Sequence, residues 1–421
     1  MSEKKSDTLS SIKRNKIIEM YGVTVFYKLI VVVLSFVNSI LINRCLGVEL
    51  RGSYTTITNW ASLMQLFLNL GIGTAYPAIK RRYPEKSKAV FSTLALLMAF
   101  SYAVVFFIIG IFLKTDARYA LIIAYTSTVE NLIIFVAIVE DVKRRNKVNI
   151  ATAFIHTLVL LIVFIFLKRN LYAVLWAVII DHLVLGGTLV IVNRIWDFNI
   201  KLIDKPLLVE IFKIAIPAML MNMLMYLNYH ADVLFLSGIT KNNYVVGLYG
   251  TAVTLGNMLW IIPDAFKDIL YNRAAKKDNP EEVIATIAVN ILICFVILIG
   301  FVILGKWFLG FMYGQDFVAA YPLVLLLFVG TFPMVLYKLI HPIYIANGKT
   351  GIVVLLLSIA VMANLVGNMI LIPLYAGVGA AVSSIVSYMI CGVAFYIKFK
   401  HDYKVNLIGT MKNIKRILRK R

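Results

Sequence analysis

The sequence predicts an all-α integral membrane protein with about twelve transmembrane helices, arranged as two six-helix lobes. The first observation is composition: 61% of the 421 residues are hydrophobic and only 15% are charged. Soluble domains have roughly 45–50% apolar and 25% charged residues, so this chain has too little polar surface to be covered by water. The other two observations are a series of long apolar runs and an internal repeat with an offset of 195 residues.

A transmembrane helix needs about 20 consecutive, mainly apolar residues. Twelve runs qualify, of which the second, eighth and tenth are more polar than the rest. The predicted spans are 22–43, 54–77, 89–113, 118–140, 149–167, 171–193, 209–237, 246–270, 283–308, 318–346, 351–373 and 376–399. No cleavable signal is expected, because the first 20 residues are polar and basic and the first apolar run is too long for a signal core.

The basic residues predict the orientation. Thirty of the 42 Lys and Arg lie in alternate connections, and only eight, Arg51 among them, lie in the others, which are predicted to be external. The basic connections are at 4–16, 80–88, 143–147, 194–205, 273–277, 349 and 398–421. Basic loops stay in the cytoplasm. Both termini are therefore predicted to lie on the cytoplasmic side of the cell (inner) membrane. A net charge of +21 can indicate a protein that binds nucleic acid, but the distribution of the basic residues argues against that function. The basic tail from 411 is either a short helix on the inner leaflet or a plain topology anchor.

Two short segments repeat in register. Gly52, Tyr54 and Tyr76 align without gaps on Gly247, Tyr249 and Tyr271. Six predicted helices separate the two segments, so both repeats have the same orientation, and a pseudo-twofold axis along the membrane normal is expected. We predict an N-terminal lobe at 1–196, a cytoplasmic linker at 197–205 and a C-terminal lobe at 206–421, with the substrate between the lobes.

Several motifs carry a family resemblance. Leu46-Gly47 is followed by Gly52-x-Tyr54; Pro217 opens the seventh span, His230-Ala-Asp232 lies near its end, and Val246-Gly-Leu-Tyr249 starts the eighth. These features resemble the polysaccharide flippases of the multidrug/oligosaccharidyl-lipid/polysaccharide exporter superfamily. One departure is that His230 stands where an arginine is usual.

The resemblance implies export of an undecaprenyl-diphosphate-linked oligosaccharide by alternating access. Its implied partners are that lipid, the bilayer and a polysaccharide polymerase or other assembly proteins. The unit is made on the cytoplasmic face and turned over to the outer face.

Cations predicted within the membrane are candidate ligands for the diphosphate. Charged groups at membrane depth are costly and usually face a cavity. Lys28, Lys267 and Lys338 lie at similar predicted depth on the inner side, and His341 follows Lys338 by one turn. A lysine binds phosphate as a compact point charge. The alternatives are snorkelling to the interface and, for Lys267, neutralisation by Asp264 or a neighbouring aspartate.

The acidic candidates for coupling or gating are Glu130, Asp181, Asp232 and Asp264. Glu130 and Asp181 lie near mid-membrane, where a carboxylate can take up a proton or sodium ion or pair with a lysine. Asp232 is expected to form a structural or gating pair. His156 is interpreted as a core residue.

Two other functions compete with the flippase. A multidrug exporter would share the fold, but such exporters commonly carry a carboxylate in the first helix, and the span 22–43 has Lys28 instead. A membrane polymerase or glycosyltransferase would present catalytic residues on a long external loop, whereas each external connection here has roughly ten residues or fewer. The three cysteines form no spaced set with histidine, so neither a metal nor a cofactor is expected.

Overall fold

The computed structural model describes residues 2–274 and 279–405, with backbone alone for 2–26, 28, 268, 269 and 271–274. Within those ranges the chain is helical and has no β-strand. The long helices are α1 Ser2–Asn69, α2 Ile72–Arg82, α3 Ser87–Phe112, α4 Thr115–Glu140, α5 Val142–Phe166, α6 Leu171–Asn193, α7 Lys205–Thr240, α8 Asn243–Leu259, α9 Ile261–Ala274, α10 Pro280–Met312, α11 Tyr321–Ala346 and α12 Thr350–Tyr403. Short 3₁₀ turns at Ile200–Leu202 and Gln315–Ala320 precede α7 and α11.

Ten segments of the described chain are long and apolar enough to cross a membrane. Two of them, Leu29–Arg82 and Thr350–Tyr403, have 54 residues each. A straight helix of that length would be about 80 Å long, more than twice the hydrocarbon thickness. The first is broken at Gly47 (φ 69°), and again at Leu70 and Gly71 just before the short helix α2; the second is broken at Ala376 (φ 47°). The breaks at Gly47 and Ala376 divide each segment into two passes. The prediction of about twelve transmembrane helices is confirmed.

Large apolar side chains cover much of the outer surface. On α3, Phe100, Phe107 and Phe112 are 72%, 76% and 84% exposed. Monomeric soluble proteins rarely expose continuous apolar patches of this kind. The chain is therefore a multi-pass membrane protein, and these faces contact lipid.

The described residues form two compact units. The first comprises the chain before Asn43 together with Leu68–Lys168 and Tyr172–Ile216. Its core is a continuous set of apolar side chains from α2–α7, in which the aromatic rings of Tyr76 and Phe91 meet edge to face at 4.9 Å. The buried members of this core are Ile72, Ala75, Tyr76, Ile79, Val90, Phe91, Leu132, Ile133, Val136, Ala137, Val148, Leu185, Leu189, Ile195, Leu207 and Ile211.

The second unit comprises Asn43–Phe67, Arg169–Leu171 and the described residues from Pro217 onward. Helix α11 lies at its centre: 72% of the most apolar stretch of that helix is buried, against 22% for α10. The segment 43–67, predicted to belong to the N-terminal lobe, packs with this unit. The lobe boundaries at 196 and 206 stay a prediction.

The eighth predicted span is a single membrane-crossing segment in the structure, Asn243–Lys267, with a break inside it. It was expected as one helix over 246–270, but the chain changes from α8 to α9 at Trp260. Pro263 explains the break, because proline has no N–H to donate and its ring clashes with the carbonyl four residues earlier. The sequence predicts helix bends at four prolines, Pro217, Pro263, Pro333 and Pro342, because each lacks a backbone donor. The break before α9 adjoins Pro263, and the other three lie inside α7 and α11.

The two repeats meet each other inside the second unit. A Cβ placed on Gly52 would lie 1.9 Å from the carbonyl oxygen of Asn243, and one on Gly247 would lie 2.0 Å from that of Val48. Val48 and Asn243 are themselves 195 residues apart, so each contact is the other's equivalent. Such reciprocal contacts are what a twofold relation produces. Glycine is required at both positions because backbone approaches backbone there.

Candidate functional site

One carboxylate in the second unit holds two lysines. The Nζ of Lys338 lies 3.0 and 2.9 Å from the two carboxylate oxygens of Asp264. The Nζ of Lys267 lies 3.1 Å from one of them. We call these three residues the lysine–aspartate cluster. With both lysines protonated it carries a net charge of +1.

The lysines of this cluster differ in accessibility. The side chain of Lys338 is 6% exposed, and that of Lys267 is 29% exposed. The ammonium of Lys338 also lies 4.9 Å from the ring centre of Trp260 and 5.4 Å from that of Tyr229. Desolvated ammonium groups gain roughly 2 kcal/mol or more from such rings. The Asp264 side chain is 38% exposed, and of the two lysines Lys267 is the one that an entering anion can reach.

The break before α9 positions Asp264. Helix α9 begins at Ile261, which places Asp264 in its first turn, where a negative charge is favoured by the helix dipole. Lys267 follows by three residues and so lies on the same face. Lys338 is the eighteenth residue of α11 (Tyr321–Ala346) and approaches from the centre of the unit.

The predicted site residues are only partly brought together. The predicted neutralisation of Lys267 by Asp264 is observed, and Lys338 joins the same carboxylate. His341 is buried, stacks on Tyr337 with ring centres 4.5 Å apart, and has its Nδ1 2.9 Å from the carbonyl oxygen of that residue. The side chain of Lys28 lies outside the described residues.

The two carboxylates of the first unit that are predicted to lie near mid-membrane pair with histidines. Glu130 on α4 contacts Nδ1 of His182 on α6. Asp181 lies 3.8 Å from Nδ1 of His156 on α5, an ion-pair distance beyond hydrogen-bonding range. His156, interpreted as a core residue, thus has an acidic partner. These pairs tie three helices of one unit together.

Asp232 is buried in a hydrogen-bonded network. It accepts hydrogen bonds from the Tyr249 hydroxyl, from the Ser384 hydroxyl at 2.8 Å and from the backbone N–H of Val233 at 2.8 Å. The residue is 1% exposed. This network joins α7, α8 and α12; the structural or gating role predicted for Asp232 stays a prediction.

Removal of the cluster's carboxylate is expected to destabilise the protein. Asp264→Asn leaves the ammonium of Lys338 buried without a counter-ion, which typically costs about 3–5 kcal/mol. We expect a fall in the melting temperature of the purified protein. In the double variant Asp264→Asn with Lys338→Met the charge is gone, so most of the loss is restored. Equal melting temperatures for Asp264→Asn and the unmodified chain would contradict this role.

The sequence matches a known protein family over more than half of its length. The profile of a family described as "Polysaccharide biosynthesis protein" matches residues 19–262, more than half of the chain. The chain belongs to this family. The matched region contains both glycine motifs of the repeat and ends two residues before Asp264.

Solved structures similar to this polysaccharide biosynthesis protein are transporters. "Lipid II flippase MurJ, inward closed conformation" aligns with a TM-score of 0.73 and 12% identity, over 94% of this chain and 89% of that one. An inward-facing multidrug resistance MATE family transporter of the MOP superfamily aligns at 0.63 and 13%, over 90% and 95%. A eukaryotic MATE transporter aligns at 0.57 and 14%, over 94% and 98%. At these identities the likeness establishes the shared fold. No curated protein matches this sequence significantly.

Proposed function

We propose that this polysaccharide biosynthesis protein is a flippase for a lipid-linked oligosaccharide. Its substrate is an undecaprenyl-diphosphate-linked saccharide, which it moves from the cytoplasmic to the outer face of the cell membrane by alternating access. Transport of this kind makes and breaks no covalent bond, so the chain acts as a carrier rather than an enzyme. A polysaccharide polymerase or another assembly protein receives the product.

The observation that carries the proposal is the unequal charge of the lysine–aspartate cluster. Two ammonium groups share one carboxylate within 3.1 Å. One positive charge is left uncompensated, and Lys267 is the more exposed of the two lysines. A diphosphate carries about two negative charges and gains most from such a cation where water is scarce. In the orientation predicted from the basic loops, the cluster lies in the cytoplasmic half, on the side where the substrate is made.

A multidrug exporter of the same superfamily is the rival function, and several of the similar structures are MATE transporters. An exporter of organic cations needs an accessible negative charge. Here the carboxylate of Asp264 is already bound by two lysines, and those of Glu130 and Asp181 are paired with histidines. The charge distribution therefore favours an anionic substrate.

Lys267→Gln is expected to lower flipping at least about tenfold, because it removes the accessible charge that meets the diphosphate. The measurement uses proteoliposomes with a fluorescent undecaprenyl-diphosphate saccharide, and it follows the fraction of label that an external quencher reaches. Lys338 stays paired with Asp264 in this variant, so the fold is expected to persist.

Two controls make this test specific. Lys349→Gln removes an exposed lysine from the connection between α11 and α12 and is expected to leave flipping unchanged. Lys267→Arg keeps the charge and is expected to keep most of the rate. Efficient transport of an organic cation with no flipping of the lipid would instead assign the rival function.

A further inference from the structure

A polar cavity lies inside the second unit, away from the lysine–aspartate cluster. Its volume is about 120 Å³. A single water needs about 10–15 Å³ of such space, so the cavity has room for several waters or one small polyatomic ion. Its lining residues are Arg51, Thr55, Thr58, Asn59, His230, Val233, Gly250, Val253, Thr254 and Asn257.

The charge in this cavity has no counter-ion among the described residues. Arg51 is 6% exposed. Its guanidinium donates to the Thr254 hydroxyl at 3.0 Å and lies 4.9 Å from the ring centre of Tyr54. Both partners are neutral. A buried charge left without an opposite charge is strongly destabilising, so binding of an anion beside this arginine would be favourable.

The cavity also contains unsatisfied polar atoms. Arg51 Nε, Thr55 Oγ1 and His230 Nδ1 are buried and have no hydrogen-bond partner in the protein. Groups of this kind are rarely left unpaired in native proteins. They lie on the second half of α1 and on α7, and α8 adds the Thr254 hydroxyl and the Asn257 amide to the same cavity.

We propose that the Arg51 cavity is a binding site for a phosphate oxyanion. The guanidinium supplies charge and directed N–H donors, which suit phosphate oxygens better than a lysine does. The threonine hydroxyls and asparagine amides supply neutral donors around it. A carboxylate-free cavity of this size excludes an organic cation and accepts one tetrahedral anion.

The site deepens the flippase proposal and rests on it for one of its two ligand sources. In the predicted orientation, Arg51 is near the outer end of its helix, whereas the lysine–aspartate cluster is in the inner half. A phosphate group of the transported lipid would then meet a second cation nearer the exit. The other source is free inorganic phosphate, which needs no transported lipid.

The proposal is tested by equilibrium binding of radiolabelled inorganic phosphate to the full chain in nanodiscs. We expect one saturable site in the unmodified protein and at least about tenfold weaker binding in Arg51→Gln, with Arg51→Lys in between. Arg44→Gln is the matched control, because Arg44 donates to the backbone carbonyl of Met312 and does not line the cavity.

A second variant guards against misfolding. Thr55→Val removes one unsatisfied hydroxyl and is expected to weaken binding a few-fold. Phosphate should also raise the melting temperature of the unmodified chain but not that of Arg51→Gln. Absence of saturable binding in the unmodified chain, or equal binding in Arg51→Gln, overturns the proposal and leaves a hydrated cavity only.

A competition experiment distinguishes the two possible ligands, the transported lipid and free inorganic phosphate. Undecaprenyl diphosphate that displaces the labelled phosphate identifies the lipid as the ligand, and failure to displace it identifies free phosphate. Lys267→Gln is expected to keep the phosphate site even where flipping is lost. Failure of the flippase proposal is therefore distinguishable from failure of this one.

Discussion

A disulfide between residues 53 and 243 is expected to reduce flipping to background. The amide of Asn243 donates to the hydroxyl of Ser53 at 3.0 Å, so cysteines at both positions have side chains within reach of each other. The backbone is already in contact beside them, at Gly52 and Gly247. If transport by alternating access separates these segments, a covalent link between them blocks the cycle.

The measurement is flipping in proteoliposomes by the variant Ser53→Cys with Asn243→Cys, before and after a reducing agent. Cys45 is buried in the same region and is replaced by alanine in every sample. The two variants that carry only one of the introduced cysteines are the controls, and both should flip at the normal rate. Full activity of the cross-linked protein would show that this contact stays closed throughout transport.

The fold was predictable because each helix that crosses a bilayer needs about 20 mainly apolar residues. Long apolar runs gave the spans, and the Gly-x-Tyr motifs at 52 and 247 gave the repeat. The sequence did not indicate that these motifs touch each other, because contact depends on how the helices pack. Pro263 predicted a bend in the eighth span, and the chain changes from α8 to α9 at Trp260, three residues before it.

The site was less predictable, since ion pairs between distant helices leave no local pattern. The pair Asp264–Lys267 follows from a spacing of three residues, whereas Asp264 and Lys338 are 74 residues apart. His182 follows Asp181 directly in sequence, yet it pairs with Glu130 on another helix.

Arg51 is a second residue whose surroundings could not be predicted from the local sequence. The charge pattern placed it in an external connection, and the structure buries it under neighbouring helices. Its partner Thr254 is 203 residues away. A single cation at the end of an apolar run therefore does not reveal whether it faces water or a cavity.

The membrane potential alone is expected to drive net export. The interior of the cell is negative, so outward movement of an anion is downhill by about 2.3 kcal/mol per charge for each 100 mV. For the two charges of a diphosphate this amounts to about 4.6 kcal/mol, or roughly a thousandfold accumulation ratio. The full gain requires that the cations of the protein do not travel with the substrate. Lys338 is buried and bound to Asp264 by two contacts, which favours cations that stay in place.

The test is flipping in vesicles with a set potential and with neither a sodium nor a pH gradient. Glu130 and Asp181 are paired with His182 and His156 inside one unit, so we assign them a structural role. Glu130→Gln and Asp181→Asn are therefore expected to lower the melting temperature while the surviving protein still responds to the potential. If turnover ignored the potential and stopped in either variant with its fold intact, that carboxylate would be the coupling site, and an ion gradient would supply the energy for export.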